Sequence, residues 1–360
     1  MDRYMEKERS GCALTGIMNE RGRRFGGEAI IKSIAAMHER SNGLGGGFAA
    51  YGIYPEYRDL YAFHLLYSDE KVKGETEEYL DRNYSIQKDE PIPFRRVERI
   101  KQPPLIWRYF LKVKTERLNE HHTLTEEDFV VKTVMEINTT IDGAFIFSSG
   151  KNMGIFKGVG FPEDIGSFYR LEDYEGHTWI GHGRFPTNSA AWWGGAHPFG
   201  LLDWSVAHNG EISSYGINRR FLLNYGYHCT LFTDTEVMVY LFDLLGRKHR
   251  LNFDVIAKIL AAPFWDEIDR LEGLELEFAK ALRITYSSAL VNGPFSVIVG
   301  YGRGMVGLND RLKLRPLVAG RMGDMLYISS EECGIREVCH SPDKIWSPKA
   351  GEPVIGRLMD

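Results

Sequence analysis

Ser10-Gly11-Cys12-Ala13-Leu14-Thr15-Gly16-Ile17 is the stretch on which this sequence turns. A charged run, Met1 to Arg9, gives way here to small and apolar residues. The thiol of Cys12 stands at the head of what reads as a short buried strand over residues 12–19. Alone, such a cysteine reads as a small core hydrophobe. Three polar segments downstream change its meaning: Gly181-His182-Gly183-Arg184-Phe185-Pro186-Thr187, then Ala207-His208-Asn209-Gly210, then Thr233-Asp234-Thr235-Glu236.

Outward from that strand, residues 28–40 read as an amphipathic helix, with Ile30, Ile31, Ile34 and Met37 on one stripe. The glycines at 43–47 end it, and 48–54 resumes as strand. From about 69 to 127 the chain turns charged and carries Pro91, Pro93, Pro103 and Pro104. Within it Leu105, Trp107, Tyr109 and Leu111 alternate as a half-buried strand would, so this stretch reads as an inserted αβ region. Residues 125–138 open with Thr and early Glu, suiting a helix start. Three hairpins are expected: 144–147 with 153–156, 295–299 with 305–308, and 316–319 with 325–329. Further helices are expected at 234–245 and 253–283. Thr233 and Glu236 have capping-box spacing, and Gly246 with Arg247 and Lys248 suits a helix end. The pattern supports an α+β fold with antiparallel sheets.

Composition narrows the partners. The 360 residues carry a net charge of −5 and no basic block, which argues against nucleic acid. No run approaches the length of a membrane span, and the first residues lack the apolar stretch of a secretory signal. Four cysteines in such a chain point to a reducing compartment, hence to the cytoplasm. Cys333, Cys339 and His340 fit no usual zinc spacing, so no metal site is expected. The glycines at 43–47 lack the context of a phosphate-binding loop.

A near-terminal thiol can attack an amide if its own α-amine is freed to act as base, because a terminal amine titrates near about 7.7–8.0. Cys12 followed by the three segments in that order resembles the N-terminal-nucleophile (class II) glutamine amidotransferases. Further marks fall in the family's order: Gly293-Pro294-Phe295-Ser296, Gly307 to Arg311, Arg315-Pro316-Leu317, Ser329-Ser330-Glu331 and Gly351-Glu352-Pro353. The resemblance implies an Ntn-hydrolase four-layer αββα sandwich over residues 12–354. It also implies a propeptide at 1–11, and the insertion at about 69–127 and a tail at 355–360 complete the layout. It assigns Cys12 as nucleophile and the Asn209 amide with the Gly210 N–H as oxyanion hole. Arg184 would take the glutamine α-carboxylate, to which a guanidinium is matched, and Asp234 the α-ammonium group. Thr187, Arg40 and His197 join them as substrate-binding residues. Arg40 departs from the family's His-Arg-Gly segment, since Glu39 stands between His38 and Arg40.

Within that family the chain looks most like the stand-alone glutaminase subunit of glutamate synthase. The implied reaction is hydrolysis of L-glutamine to glutamate and ammonia through a Cys12 thioester, with ammonia passed to a synthase-type partner subunit. No cofactor is expected in this chain; FMN or an iron–sulfur cluster would belong to the partner. The alternatives are a non-catalytic glutamine-sensing subunit, and the glutaminase subunit of a methylamine- or N-methylglutamate-type synthase. A different Ntn amidase ranks below these, because such hydrolases lack the head-group residues.

Overall fold

The structure is a computed structural model that describes residues 11–120, 122–185 and 191–359. Two antiparallel sheets form its centre. The seven-stranded one runs, in spatial order, Lys344–Trp346, Val318–Met322, Met325–Ser329, Ala13–Asn19, Thr178–Gly183, Gly46–Tyr51 and Met153–Gly158. The five-stranded one runs Phe199–Leu201, Trp204–Gly210, Phe295–Tyr301, Gly304–Asn309 and Val354–Arg357.

The sheets pack face to face, which is why the strand Ala13–Asn19 is buried along its whole length. Leu14, Met18, Ile180, Ile298 and Met305 fill the space between them. Gly16 lets the sheets approach closely there, since a Cβ would stand 2.4 Å from the sulfur of Met305 and 3.2 Å from Ile298. Helices Glu28–Ala35, Pro162–Phe168 and Glu332–Arg336 cover the far face of the larger sheet, and Asp234–Phe242 covers the smaller. The result is a four-layer αββα sandwich of two antiparallel sheets, as expected.

The charged stretch at 69–127 belongs to a larger unit. A third, four-stranded sheet is built from Tyr84–Pro91, Leu105–Val113, Tyr61–Tyr67 and Ala144–Ser148, in that order. Helices Glu70–Asn83 and Glu126–Thr140 accompany it, the latter capped by the Thr125 hydroxyl. Ile106 and Phe110 are as buried as Tyr109 and Leu111, so both faces of this sheet are covered.

Several expectations need correcting. Residues 144–147 and 153–156 do not pair with each other: the first pairs with Tyr61–Tyr67, the second with Gly46–Tyr51. The intervening turn is fastened to the neighbouring turn instead, with Lys151 N–H donating to Asp203 and Leu202 N–H to Ser149. The other two hairpins form, the last with its first strand at Val318–Met322 rather than 316–319, so that Gly320, Arg321 and Met322, read as turn, are paired strand. Residues 253–283 are three helices, Phe253–Leu260, Trp265–Ile268 and Gly273–Thr285, interrupted at Pro263 and before Gly273. Residues 28–40 make a helix only to Ala35, followed by a separate tight turn over His38–Arg40. Gly246 does not stop the chain, because the helix continues through it to Lys248 as a π-type turn. Residues 355–357 lie in the edge strand Val354–Arg357, too short a segment to read from pattern.

Among the described residues, no helix is long and apolar enough to cross a membrane. No group of three or more His, Cys, Asp or Glu among them is arranged to hold a metal ion.

Candidate active site

The site forms where three strands end. Cys12 precedes Ala13–Asn19, Arg184 and Phe185 follow Thr178–Gly183, and Asn209 with Gly210 ends Trp204–Gly210. Ala13 pairs with Gly183 in one sheet, and Asn209 reaches across from the other. The two-sheet packing thus assembles residues almost two hundred positions apart.

The contacts around Cys12 are specific. Its backbone N–H donates to Asn209 Oδ1 at 3.1 Å. The sulfur receives the Phe185 backbone N–H at 3.4 Å. Arg40 Nε donates to the Cys12 carbonyl at 3.3 Å while its Nη1 holds Glu331 at 2.7 Å. Burial pushes the Cys12 thiol up; the Phe185 N–H and the guanidiniums of Arg184, Arg315 and Arg40 pull against that. With its carbonyl oxygen turned to the Cys12 nitrogen, the Asn209 amide leaves Nδ2 buried and without an acceptor among the described residues. A buried donor in that state is costly unless something arrives to use it. Gly210 has φ +150°, and a Cβ there would stand 2.0 Å from the Pro294 carbonyl, so no other residue fits.

Arg184 is placed by its backbone. Its N–H donates to Gly45, and its carbonyl accepts from Asn42 N–H and Ser41 Oγ. Its guanidinium lies within Coulombic reach of both Cys12 and Asp234. The Asp234 carboxylate accepts the Ile212 N–H at 3.1 Å and lies 3.5 Å from His208 Nδ1. Burial opposes its charge, yet His208, the Ile212 N–H and the Thr235 hydroxyl outweigh burial, and its pKa falls below the ordinary range. A cation and an anion are therefore held within Coulombic reach of each other, the cation also within reach of the thiol.

The capping box expected at Thr233 does not close. Thr233 Oγ1 accepts the Thr235 N–H, but Glu236 reaches back to the N–H groups of Thr230 and Leu231. His197 is buried behind the site rather than bordering Cys12: it stacks on His182 at 4.1 Å, and its Nε2 lies 3.3 Å from Thr235 Oγ1. Burial holds it well below the usual histidine range, so it is neutral. Thr187 lies outside the described residues.

Two contributors escaped the sequence reading. The Phe185 N–H is a backbone donor, which no residue type announces. Arg315 was visible only as a marker in Arg315-Pro316-Leu317, yet its charge bears on the Cys12 sulfur.

Residues 83–227 match the family model described as class-II glutamine amidotransferases, a span that includes Arg184, Asn209 and Gly210. Residues 83–227 form a class II glutamine amidotransferase domain. It is 50% identical over 356 residues to an uncharacterized protein of Archaeoglobus fulgidus, covering 98% of this chain and 94% of that one. It is 26% identical over 199 residues to the amidophosphoribosyltransferase of Methanocaldococcus jannaschii, covering 54% of this chain but 36% of that enzyme. The solved glutamine phosphoribosylpyrophosphate amidotransferase of B. subtilis superposes with a TM-score of 0.48 at 16% identity, over 96% of this chain and 47% of that one.

Proposed function

We propose that this chain hydrolyses the side-chain amide of L-glutamine to glutamate and ammonia, using Cys12 as nucleophile once residues 1–11 are removed. The observation that carries the reading is the divided Asn209 amide: its oxygen accepts from the Cys12 nitrogen while its Nδ2 stands buried without an acceptor. Freed, that nitrogen becomes an amine held by Asn209 Oδ1 beside the thiol. It takes the thiol proton, and the sulfur adds to the amide carbon of glutamine. Asn209 Nδ2 and the Gly210 N–H receive the developing oxyanion. The protonated amine then gives its proton to the leaving nitrogen, the C–N bond breaks, and ammonia departs from a thioester. Water, deprotonated by the same amine, releases glutamate. Arg184 and Asp234 support recognition of an α-amino acid, since they offer opposite charges to its carboxylate and ammonium.

Ammonia has to be kept from solvent on its way to an acceptor. We assign that acceptor to a synthase-type partner subunit of glutamate synthase character, which would carry any FMN or iron–sulfur cluster, while this chain needs no cofactor for hydrolysis. The cytoplasm is the setting in which this glutamine use and four unpaired cysteines agree. The experiment is ammonia release from glutamine by the purified chain, with asparagine as control. Release from glutamine alone, lost in Cys12→Ala, supports the reading; a processed chain that releases none makes it a glutamine-sensing subunit instead.

A further inference from the structure

Lys157 is fully buried at the end of Met153–Gly158, and the thioester chemistry does not use it. Its ammonium donates to the Gly194 carbonyl at 2.8 Å and stands 4.3 Å over the Phe199 ring. Phe145 and Phe147 lie at 5.5 and 5.9 Å. Taking an ammonium out of water costs several kcal/mol, so it persists only where fixed partners replace its hydration. Gly194 belongs to the segment that leads to His197. That segment lies flat on the sheet: a Cβ on Gly47 would stand 2.4 Å from the His197 carbonyl, and one on Gly158 2.6 Å from the Trp193 ring. Downstream, His197 meets Thr235, the neighbour of Asp234, and Ala196 crowds Gly45 together with Arg184.

We propose that Lys157 is a positioning residue whose charged bond to Gly194 fastens segment 193–197, and through it sets Arg184 and Asp234 for the amino-acid head group. The role rests on the glutamine reading given above. The charged and titratable groups facing Lys157 are Glu236 from Asp234–Phe242, Arg184 after Thr178–Gly183, and His197 on the fastened segment itself. The strands Ala144–Ser148 and Phe199–Leu201 present phenylalanine rings to it. Burial pulls the ammonium down to about 7, with Glu236 working to restore it and Arg184 to lower it further. The clamp is therefore charged below that pH and weaker above it, because a charge-assisted hydrogen bond is roughly twice as strong as a neutral one.

The test is Lys157→Met in the full chain, a swap of similar length that leaves no buried charge. At a pH about one unit below the Lys157 transition, the glutamine KM should rise about tenfold, the size of one charge-assisted bond, with kcat within about twofold. The gap from the unsubstituted chain should shrink as the pH is raised about a unit above the transition. Hydrogen exchange read by mass spectrometry should speed up in 193–197 while Trp204–Gly210 stays as protected as before. Unchanged exchange in 193–197 overturns the proposal, as does a fall in kcat at constant KM, or a loss of protection throughout the chain with a lower Tm. If the unsubstituted chain does not turn over glutamine, the functional reading fails, and exchange alone still decides whether the clamp exists.

Discussion

At the scale of single residues, the side chain with most to say is Asn209. Its oxygen accepts from the Cys12 nitrogen and its Nδ2 is buried without an acceptor among the described residues, which in the proposed mechanism leaves it to receive the oxyanion. Asn209→Ala should therefore lower kcat by about 10²–10³, the usual loss for one oxyanion donor. Steady-state glutaminase kinetics check this, and an unchanged kcat would remove Asn209 from the mechanism. Asp234→Ala and Arg184→Ala should act differently. In the proposed mechanism each would remove a contact to the head group in ground state and transition state alike, so KM should rise by roughly tenfold or more with kcat changing less. His197, read from the sequence as a substrate contact, is packed against Thr235 and His182. Its position could not be read in advance because a histidine's burial depends on which strands close over it.

Elements explain why the site holds its shape. The strand Trp204–Gly210 delivers Asn209 and ends on a glycine at φ +150° against the Pro294 carbonyl. Gly210→Ala cannot keep that backbone, so it should cost a few kcal/mol of stability and most of the activity, checked by thermal melting and ammonia release. A Tm within a degree of the original would show that the turn has room. The strand Met153–Gly158 carries the buried Lys157, and its pH behaviour has a definite sign. The folded chain holds this proton only up to about pH 7, where an unfolded lysine keeps it to about 10.4. Below 7 both states are protonated and the burial penalty is fully expressed; above 7 the folded state sheds the proton first, and stability rises with pH towards 10. Relative to Lys157→Met, the chain should thus be less stable below 7 and regain the difference as the pH climbs. Melting curves of both at several pH values test this, and a gap independent of pH would contradict it. Local reading succeeded where an element closes on itself, as in Phe295–Tyr301 with Gly304–Asn309. It failed at 144–156, where the turn looks like a hairpin but each flank has a better partner in a different sheet. Sequence distance hides such a choice, because sheet pairing is decided by long-range burial.

On the scale of the whole molecule, two sheets bring Cys12, Arg184, Asn209 and Asp234 together from four distant stretches of chain. The order of those stretches made the family and the four-layer arrangement legible, since each motif sits at a strand end or a helix start. The third sheet was legible only in part. Its middle announced itself by charge and proline, whereas Tyr61–Tyr67 and Ala144–Ser148 look like any other buried strands of the core. The proposed mechanism converges on one nitrogen and one sulfur of the same residue. The most direct measurement is to treat the chain with a glutamine-like diazo ketone, digest it, and sequence the modified peptide by mass spectrometry. The account predicts one adduct, on the sulfur of Cys12, in a peptide that begins at Cys12 with a free amine, and protection by excess glutamine. An adduct on Cys229, Cys333 or Cys339, or labelling of Cys12 that glutamine does not slow, would contradict it.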